Sequence, residues 1–171
     1  MKKRIILTFI STLLITVSCF TGCAKTADNP TDCPFTTVSW DASVEDITAL
    51  EGENHETYDS IYNGITYTYS KEYLGQAGMI KYMFDAQERL CNISWTYTGS
   101  EEEEVMNIYN SVCQEAAKDY GEGKTDDGIG NYCKMWVEKN ETIMANAVIT
   151  DDTKVMQIAY MRADVSKQDN Q

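Results

Sequence analysis

The sequence predicts an α+β domain of two layers, in which an antiparallel sheet carries one short and one long helix on one face. Two observations lead to this fold class. Several short runs alternate between apolar and polar side chains, as strands with one buried face do. The stretch from Ser100 to Tyr120 instead repeats its apolar residues at the spacing of a helix. One sheet with both helices on a single face would bury all of these apolar stripes at once.

The two helices are marked by the residues at their ends. Ser43 and Asp46 form a capping-box pattern at the start of a short helix that Gly52 ends. The long helix ends at Gly121, and acidic residues fill its first turn at Glu101–Glu104. These acids could bind Ca²⁺, but no calcium-loop pattern is present. We therefore expect them to complement the helix dipole in water.

Seven strands are expected from the alternating runs. The second to the fourth form an antiparallel meander. Polar loops are expected at Glu51–Ser60 and Gly121–Asn131. No convincing internal repeat is present, although a helix followed by strands occurs twice and hints at one. The seven strands are Phe35–Trp40, Gly64–Tyr69, Met79–Phe84, Arg89–Tyr97, Tyr132–Glu138, Glu141–Thr150 and Lys154–Arg162.

The N-terminus carries the features of a targeting segment. Three basic residues follow Met1, and an uncharged, mostly apolar stretch runs from Ile5 to Phe20. It ends in Phe20-Thr21-Gly22-Cys23, which resembles the lipobox of bacterial lipoproteins. The resemblance implies that residues 1–22 are a lipoprotein signal peptide, cut just before a Cys23 whose sulfur is lipidated. An ordinary signal peptide with an unrelated cysteine is the alternative.

This N-terminus also determines the expected organisation and location of the chain. Residues 23–34 are small and polar and are expected to form a tether, residues 35–165 the α+β domain and residues 166–171 a disordered tail. Two or three acyl chains hold a protein stably at a membrane. We therefore expect a protein anchored by lipid to the extracytoplasmic face of the cell membrane.

Charge and motifs exclude several functions. The chain has 27 acidic and 14 basic residues, a formal charge of −13, and loss of Lys2, Lys3 and Arg4 with the signal peptide makes it −16. Such a surface repels phosphate backbones, so nucleic acid is not an expected partner. The only histidine is His55, and the chain contains no Gly-x-Ser-x-Gly or Ser-x-x-Lys motif. We expect no enzymatic activity, no cofactor and no metal site.

Four cysteines would remain after lipidation of Cys23 and removal of the signal peptide. Outside the cytoplasm they allow three pairings. Cys91 and Cys133 lie on the expected inward strand faces and Cys113 on or beside the inner face of the long helix. The preferred pairs are therefore Cys113–Cys133 and Cys33–Cys91. Buried free thiols are the alternative.

An aromatic surface is the main candidate for binding. If Cys133, Met135 and Val137 face the helix, Tyr132 and Trp136 point to the open face of the sheet. Met79 and Met83 likewise lie opposite their apolar neighbours on the third predicted strand. An open face with Tyr132, Trp136, Met79 and Met83 is suited to a partner or ligand. The alternative is that these side chains only pack across strands.

The stretch Trp40-Asp41-Ala42-Ser43-Val44-Glu45-Asp46-Ile47 resembles the opening helix of a group of small bacterial proteins. The group comprises β-lactamase-inhibitory-protein-like domains and small lipoproteins of outer-membrane assembly. The resemblance implies a non-enzymatic binding module. We therefore expect a lipid-anchored lipoprotein whose domain binds a protein or an envelope component without catalysis. The alternatives are a small extracytoplasmic hydrolase that uses a carboxylate pair, and a solute-binding accessory protein.

Overall fold

The computed structural model describes residues 29–125 and 132–166 and confirms the α+β class. The described strands form one eight-stranded antiparallel sheet, and a short and a long helix pack against one of its faces. The helices are α1 (Val44–Glu51), α2 (Glu102–Tyr120) and a final short α3 (Ala163–Ser166). The strands are β1 (Glu56–Asp59), β2 (Asn63–Tyr73), β3 (Gln76–Asp85), β4 (Leu90–Thr98), β5 (Lys124–Thr125), β6 (Tyr132–Val137), β7 (Glu141–Ile149) and β8 (Lys154–Arg162).

The chain builds this sheet from two four-stranded meanders that meet at its centre. The strand order is β1-β2-β3-β4-β8-β7-β6-β5, and every neighbouring pair is antiparallel. Helix α2 carries the chain from β4 at the centre to β5 at the far edge, and the second meander returns to β4. A helix followed by four strands therefore occurs twice, as the sequence hints.

Local signals explain where both main helices begin and end. The Ser43 hydroxyl accepts a hydrogen bond from the Asp46 amide, and the Asp46 carboxylate accepts one from the Ser43 amide, which is the predicted capping box. Gly52 and Gly121 end the two helices with φ angles of 100° and 73°, a region that glycine adopts without steric cost. Helix α2 begins at Glu102 with no side-chain cap, and acidic residues complement its dipole.

The register assigns the strand residues to two faces. Directly paired residues of an antiparallel sheet point to the same side. On one side the paired residues are large and buried, and they pack against Val105 and Val112 of α2 and Ile47 of α1. We call the opposite side the open face. One buried row across five strands of the helix-facing side consists of Tyr82, Ile93, Tyr160, Ile143 and Trp136.

The segment 29–42 packs onto the domain as irregular chain. Its one bridge in regular geometry joins Pro30 to Ser39, so the predicted strand Phe35–Trp40 is wrong. The apolar side chains of this segment alternate as in a strand, but they insert into the core instead of pairing with a sheet edge. The described end of the predicted tether 23–34 belongs to this packed segment. Its buried apolar side chains are Cys33, Phe35, Val38 and Trp40.

Three short elements were not predicted. Strand β1 lies in the predicted loop Glu51–Ser60, and all four of its residues are exposed, so it has no apolar alternation to reveal it. Strand β5 is a two-residue edge strand within the predicted loop Gly121–Asn131. Helix α3 extends to Ser166, so the predicted disordered tail 166–171 is wrong at its first residue. Each of the three elements forms against a neighbouring strand, and none has an apolar pattern in the sequence from which it could be predicted.

Neither predicted disulfide is present, because Cys33, Cys91 and Cys113 are buried thiols. Cys133 pairs in register with Asn146 on the open face, whereas Cys113 belongs to α2 on the other side, so the backbone of β6 separates them. The predicted inward position of Cys133 is therefore wrong. Cys91 is the extra residue of a β-bulge and lies outside the core cluster that contains Cys33. Burial raises the pKa of the Cys91 thiol to about 11, which keeps it protonated.

Several predictions fall outside the described residues. These are the signal peptide 1–22, the lipidation site Cys23 and residues 167–171 of the predicted tail. The helices within the described ranges are all too short or too polar to cross a membrane.

A buried carboxylate holds the segment 29–42 against the sheet. Trp40 Nε1 donates to Glu141 Oε2 at 3.3 Å, and Arg162 Nη1 donates to the carbonyl oxygen of Trp40 at 3.2 Å. Glu141 is 2% exposed, and its Oε1 has no hydrogen-bond partner among the described residues. Burial, followed by the negative charge of Asp32, raises the pKa of Glu141 to about 7.

We expect Glu141→Gln to stabilise the protein at pH 8 and to leave its stability unchanged at pH 4. The folded state holds the Glu141 proton more tightly than the unfolded chain, where the ordinary pKa is 4.5. The resulting stabilisation is complete below pH 4.5 and is lost as the pH rises through 7. The neutral amide avoids this loss, which amounts to about 3 kcal/mol.

Urea unfolding at the two pH values measures the difference. Glu72→Gln, at an exposed position of β2, is the control and should change the free energy of unfolding equally at both. A Glu141→Gln protein that is less stable than the parent at pH 8 would contradict the expectation.

Candidate functional site

The aromatic pair predicted for the open face, Tyr132 and Trp136, lies on the helix-facing side. Trp136 is 4% exposed, and its Nε1 donates to the carbonyl oxygen of Gly121 at 2.9 Å. Tyr132 packs against Tyr109 of α2 with ring centroids 6.1 Å apart. The predicted position of both residues is therefore wrong, and neither belongs to the open face.

The error comes from Lys134. Its strand alternates Tyr132, Lys134 and Trp136 with Cys133, Met135 and Val137, and the second set is the more apolar. In the structure, however, Tyr132, Lys134 and Trp136 lie on the helix-facing side of the sheet. The large indole of Trp136 fills the space beside Gly123 at the end of α2. Lys134 lines a surface cavity beside Cys113, where a long side chain can keep its ammonium in water.

Methionines characterise the open face. Met79 and Met83 lie there, and three further methionines on β6, β7 and β8 join them. All five are partly exposed, whereas Met156 faces the helices and is fully buried. The unbranched thioether side chain adapts to irregular surfaces, so it is common where partners bind. The methionines of the open face are Met79, Met83, Met135, Met144 and Met161.

A groove runs along β4 at the centre of the open face, and we call it the β4 groove. Its floor consists of the small polar side chains of Asn92, Ser94 and Thr96. Longer side chains flank all three floor residues on the β3 side, and they flank Asn92 and Thr96 on the β8 side, where Ser94 instead pairs with the small Ala159. A cavity of about 590 Å³ continues the groove toward β2. The flanking side chains are Met79, Lys81 and Met83 on β3 and Gln157 and Met161 on β8.

The floor carries buried polar atoms with no hydrogen-bond partner among the described residues. These are Asn92 Oδ1, Ser94 Oγ and Thr96 Oγ1. Thr66 and Thr68 on β2 have unpartnered hydroxyl oxygens on the same face. Leaving such an atom unpaired costs about 1–3 kcal/mol. These atoms are covered by neighbouring side chains, so a partner supplies the missing hydrogen bonds only where those side chains move aside on binding.

The centre of the open face is nearly uncharged, although the chain is strongly acidic. Asn92, Ser94 and Thr96 each belong to a row of residues that are paired from strand to strand across the sheet. The charged side chains in these three rows are Glu56, Lys81 and Lys124. These rows carry a net charge of +1, against −13 for the whole chain. Depletion of charged residues is typical of the core of a protein interface.

The side chains of this surface can make hydrogen bonds and apolar contacts. The β4 groove presents hydroxyl, amide and thioether groups and one ammonium group. Within residues 29–125 and 132–166, no three His, Cys, Asp or Glu side chains come close enough together to hold a metal ion.

The sequence contained a signal for the groove floor. The run Arg89–Tyr97 alternates, so placing Ile93 and Trp95 inward puts Asn92 and Ser94 on the same face as the predicted methionines. The alternation does not reveal which strands lie beside β4. Its pairing with β8, which brings Gln157 and Met161 to the groove, joins residues distant in sequence and follows from the tertiary fold alone.

No protein-family model, curated protein or solved structure matches the chain. The function is therefore inferred from the residues of the open face.

We expect Trp136→Ala to lower the free energy of unfolding by about 3–5 kcal/mol, because it removes a buried ring and leaves a cavity. Met83→Ala on the open face should change it by less than about 1 kcal/mol. Chemical denaturation of the two variants beside the parent measures both effects. A Trp136→Ala protein as stable as the parent would show that the indole does not belong to the core.

Proposed function

We propose that this protein is a lipid-anchored extracytoplasmic lipoprotein whose domain is a non-catalytic binding module for a protein partner. The observation that carries the proposal is the β4 groove. It combines unpartnered polar atoms on its floor with partly exposed methionines at its sides. The helices cover the other side of the sheet, so the open face is the side that can receive a partner.

The size of the open face favours a protein partner over a small ligand. Eight strands at a spacing of about 4.8 Å make the sheet about 34 Å wide. The groove floor and its continuation to Thr98 extend about 20 Å along β4. Because β1 and β5 cover only part of that length, the area is about 500–700 Å², which approaches the roughly 800 Å² that each partner contributes to a standard interface.

The physical character of the face also favours a protein partner. Methionines can repack around an incoming side chain. The floor hydroxyls can each donate or accept a hydrogen bond. Binding to a surface of this kind is favoured by the burial of apolar area and by the completion of its unpaired hydrogen bonds. The partner therefore does not need to be strongly charged.

Binding through the open face predicts that charges placed at the β4 groove abolish capture of the partner. The double variant Met83→Glu/Met161→Glu puts two carboxylates on opposite sides of Asn92, where burial against a partner would be costly. Crosslinked affinity capture from envelope extract of the source organism compares this variant with the parent protein.

A matched control adds the same charge elsewhere. Asn107→Glu/Asn110→Glu changes two exposed positions of α2 on the opposite side of the sheet and should capture the same protein as the parent. All three proteins must first show equal thermal stability. Equal capture by the groove variant and the parent would rule out the open face as the binding surface.

The proposed anchor gives a separate expectation for Cys23. Replacing Cys23 by alanine removes the sulfur that would carry the lipid, so the protein should lose incorporation of a palmitate analogue and should no longer partition with the membrane. Cys33→Ala is the control, because a buried cysteine of the domain should not affect labelling. A Cys23→Ala protein that still incorporates the analogue would place the lipid elsewhere.

A further inference from the structure

The open face is a part of the surface from which the acids of this chain are almost absent. Its central row crosses all eight strands, from Glu56 on β1 through Ser94 on β4 to Lys124 on β5. Among the described residues of the three central rows, Glu56 is the only acid, although the chain contains 27. Two copies of so acidic a chain repel each other wherever their acids meet. The open face is therefore a surface on which a second copy can approach closely.

The strand order allows two open faces to pack against each other about a two-fold axis. An axis that runs along the strands, between β4 and β8, passes through the middle of the eight-strand order. It places β4 of one copy over β8 of the other, β3 over β7, β2 over β6 and β1 over β5. Two sheets packed face to face keep their strands within about 30° of each other. The match is therefore closest beside the axis, and only long side chains can meet at the edges.

Under this symmetry, the long side chains of two rows lie over short side chains of the second copy. Three of these four long side chains are methionines, which can adjust to the surface opposite. Next to the axis, Ser94 lies over Ala159, and the neighbouring methionines can fill the space that these two short side chains leave. The four pairs of a long over a short side chain are Met83 over Thr142, Met161 over Asn92, Met79 over Asn146 and Gln157 over Thr96.

The charges of the central row favour this symmetry over the alternative. A two-fold axis along the central row would place each strand over itself, so Glu56, Lys81 and Lys124 would each meet the same residue of the second copy. With the axis along the strands, Glu56 instead lies over Lys124 of the second copy, and this contact occurs twice. Neither residue forms an ion pair with another described residue. Lys81 lies over Met144, but its Nζ is 6.0 Å from the ring centroid of Tyr58 on the edge strand, so its charge stays near the rim.

The area of the open face is sufficient for a dimer. Two faces of about 500–700 Å² bury about 1,000–1,400 Å² together, which reaches the lower part of the range of about 1,200–2,000 Å² for specific interfaces. Two copies anchored in the same membrane, as proposed above, also meet at a raised effective concentration.

We propose that the partner of the open face is a second copy of this chain, and that the two copies form a two-fold dimer in which β4 of each lies over β8 of the other. The inference rests on the proposed function, because it names the partner of the same surface. The dimer buries the methionines of both open faces and leaves the helices of both copies on the outside.

Sedimentation equilibrium of the full chain in density-matched detergent tests the dimer, and we expect a monomer–dimer equilibrium. Glu56→Lys should weaken the dimer about tenfold, because lysines then face each other at both edges. The double variant Glu56→Lys/Lys124→Glu reverses both charges and should restore at least the affinity of the parent. Glu53→Lys is the control, since it makes the same change in net charge at an exposed position before β1 and should not weaken the dimer. Met83→Glu/Met161→Glu should abolish the dimer, because it buries four carboxylates in the interface.

A chain that stays monomeric at every concentration would overturn the inference, and so would a dimer that neither Glu56→Lys nor Met83→Glu/Met161→Glu weakens. The proposed function fails separately. If the chain is monomeric while Met83→Glu/Met161→Glu loses a captured envelope protein, the second copy is wrong and the binding module stands with another partner. If the chain dimerises as expected while capture of an envelope protein is unaffected by that variant, the dimer stands and the open face does not bind the captured protein.

Discussion

The pairing of β4 with β8 is the contact on which the rest of the structure depends. It joins the two meanders into one sheet and aligns Ile93 with Tyr160 and Trp95 with Ile158. The side chain of a strand residue lies on only one face of the sheet. This alignment therefore places the largest side chains on the face that packs against the helices. At its centre, the opposite face of the same two strands carries the small residues Ser94 and Ala159, with Asn92 and Thr96 next to Ser94 on β4.

The same constraint explains why the open face has a groove and not a flat surface. Small side chains at the centre of a sheet are enclosed by any longer neighbours, even where no helix covers them. Ser94 is fully buried in this way between Lys81 and Ala159 and the flanking methionines. Its hydroxyl is therefore partly desolvated before any partner arrives, which lowers the cost of excluding water there on binding.

Elements with a strong pattern of their own could be predicted from the sequence. Strands β2, β3, β4, β7 and β8 and helix α2 have long apolar stripes, and the capping box and Gly121 mark the helix ends. Elements without such a pattern could not be predicted from the sequence. The four residues of β1 are all exposed, and β6 has two competing alternations, of which Lys134 favours the wrong one. The segment 29–42 alternates like a strand but is held by the contacts of Trp40 with Glu141 and Arg162.

If the chain is anchored through Cys23 as proposed, the packed position of the segment 29–42 limits how far the domain can stand from the membrane. Cys23 precedes Asn29, the first described residue, by six positions, which extend over at most about 22 Å. If Cys23 carries the lipid, the domain is confined to a thin layer above the bilayer and cannot search the space beyond it. Confinement of this kind raises the effective concentration of partners that share the membrane and excludes those that do not approach it.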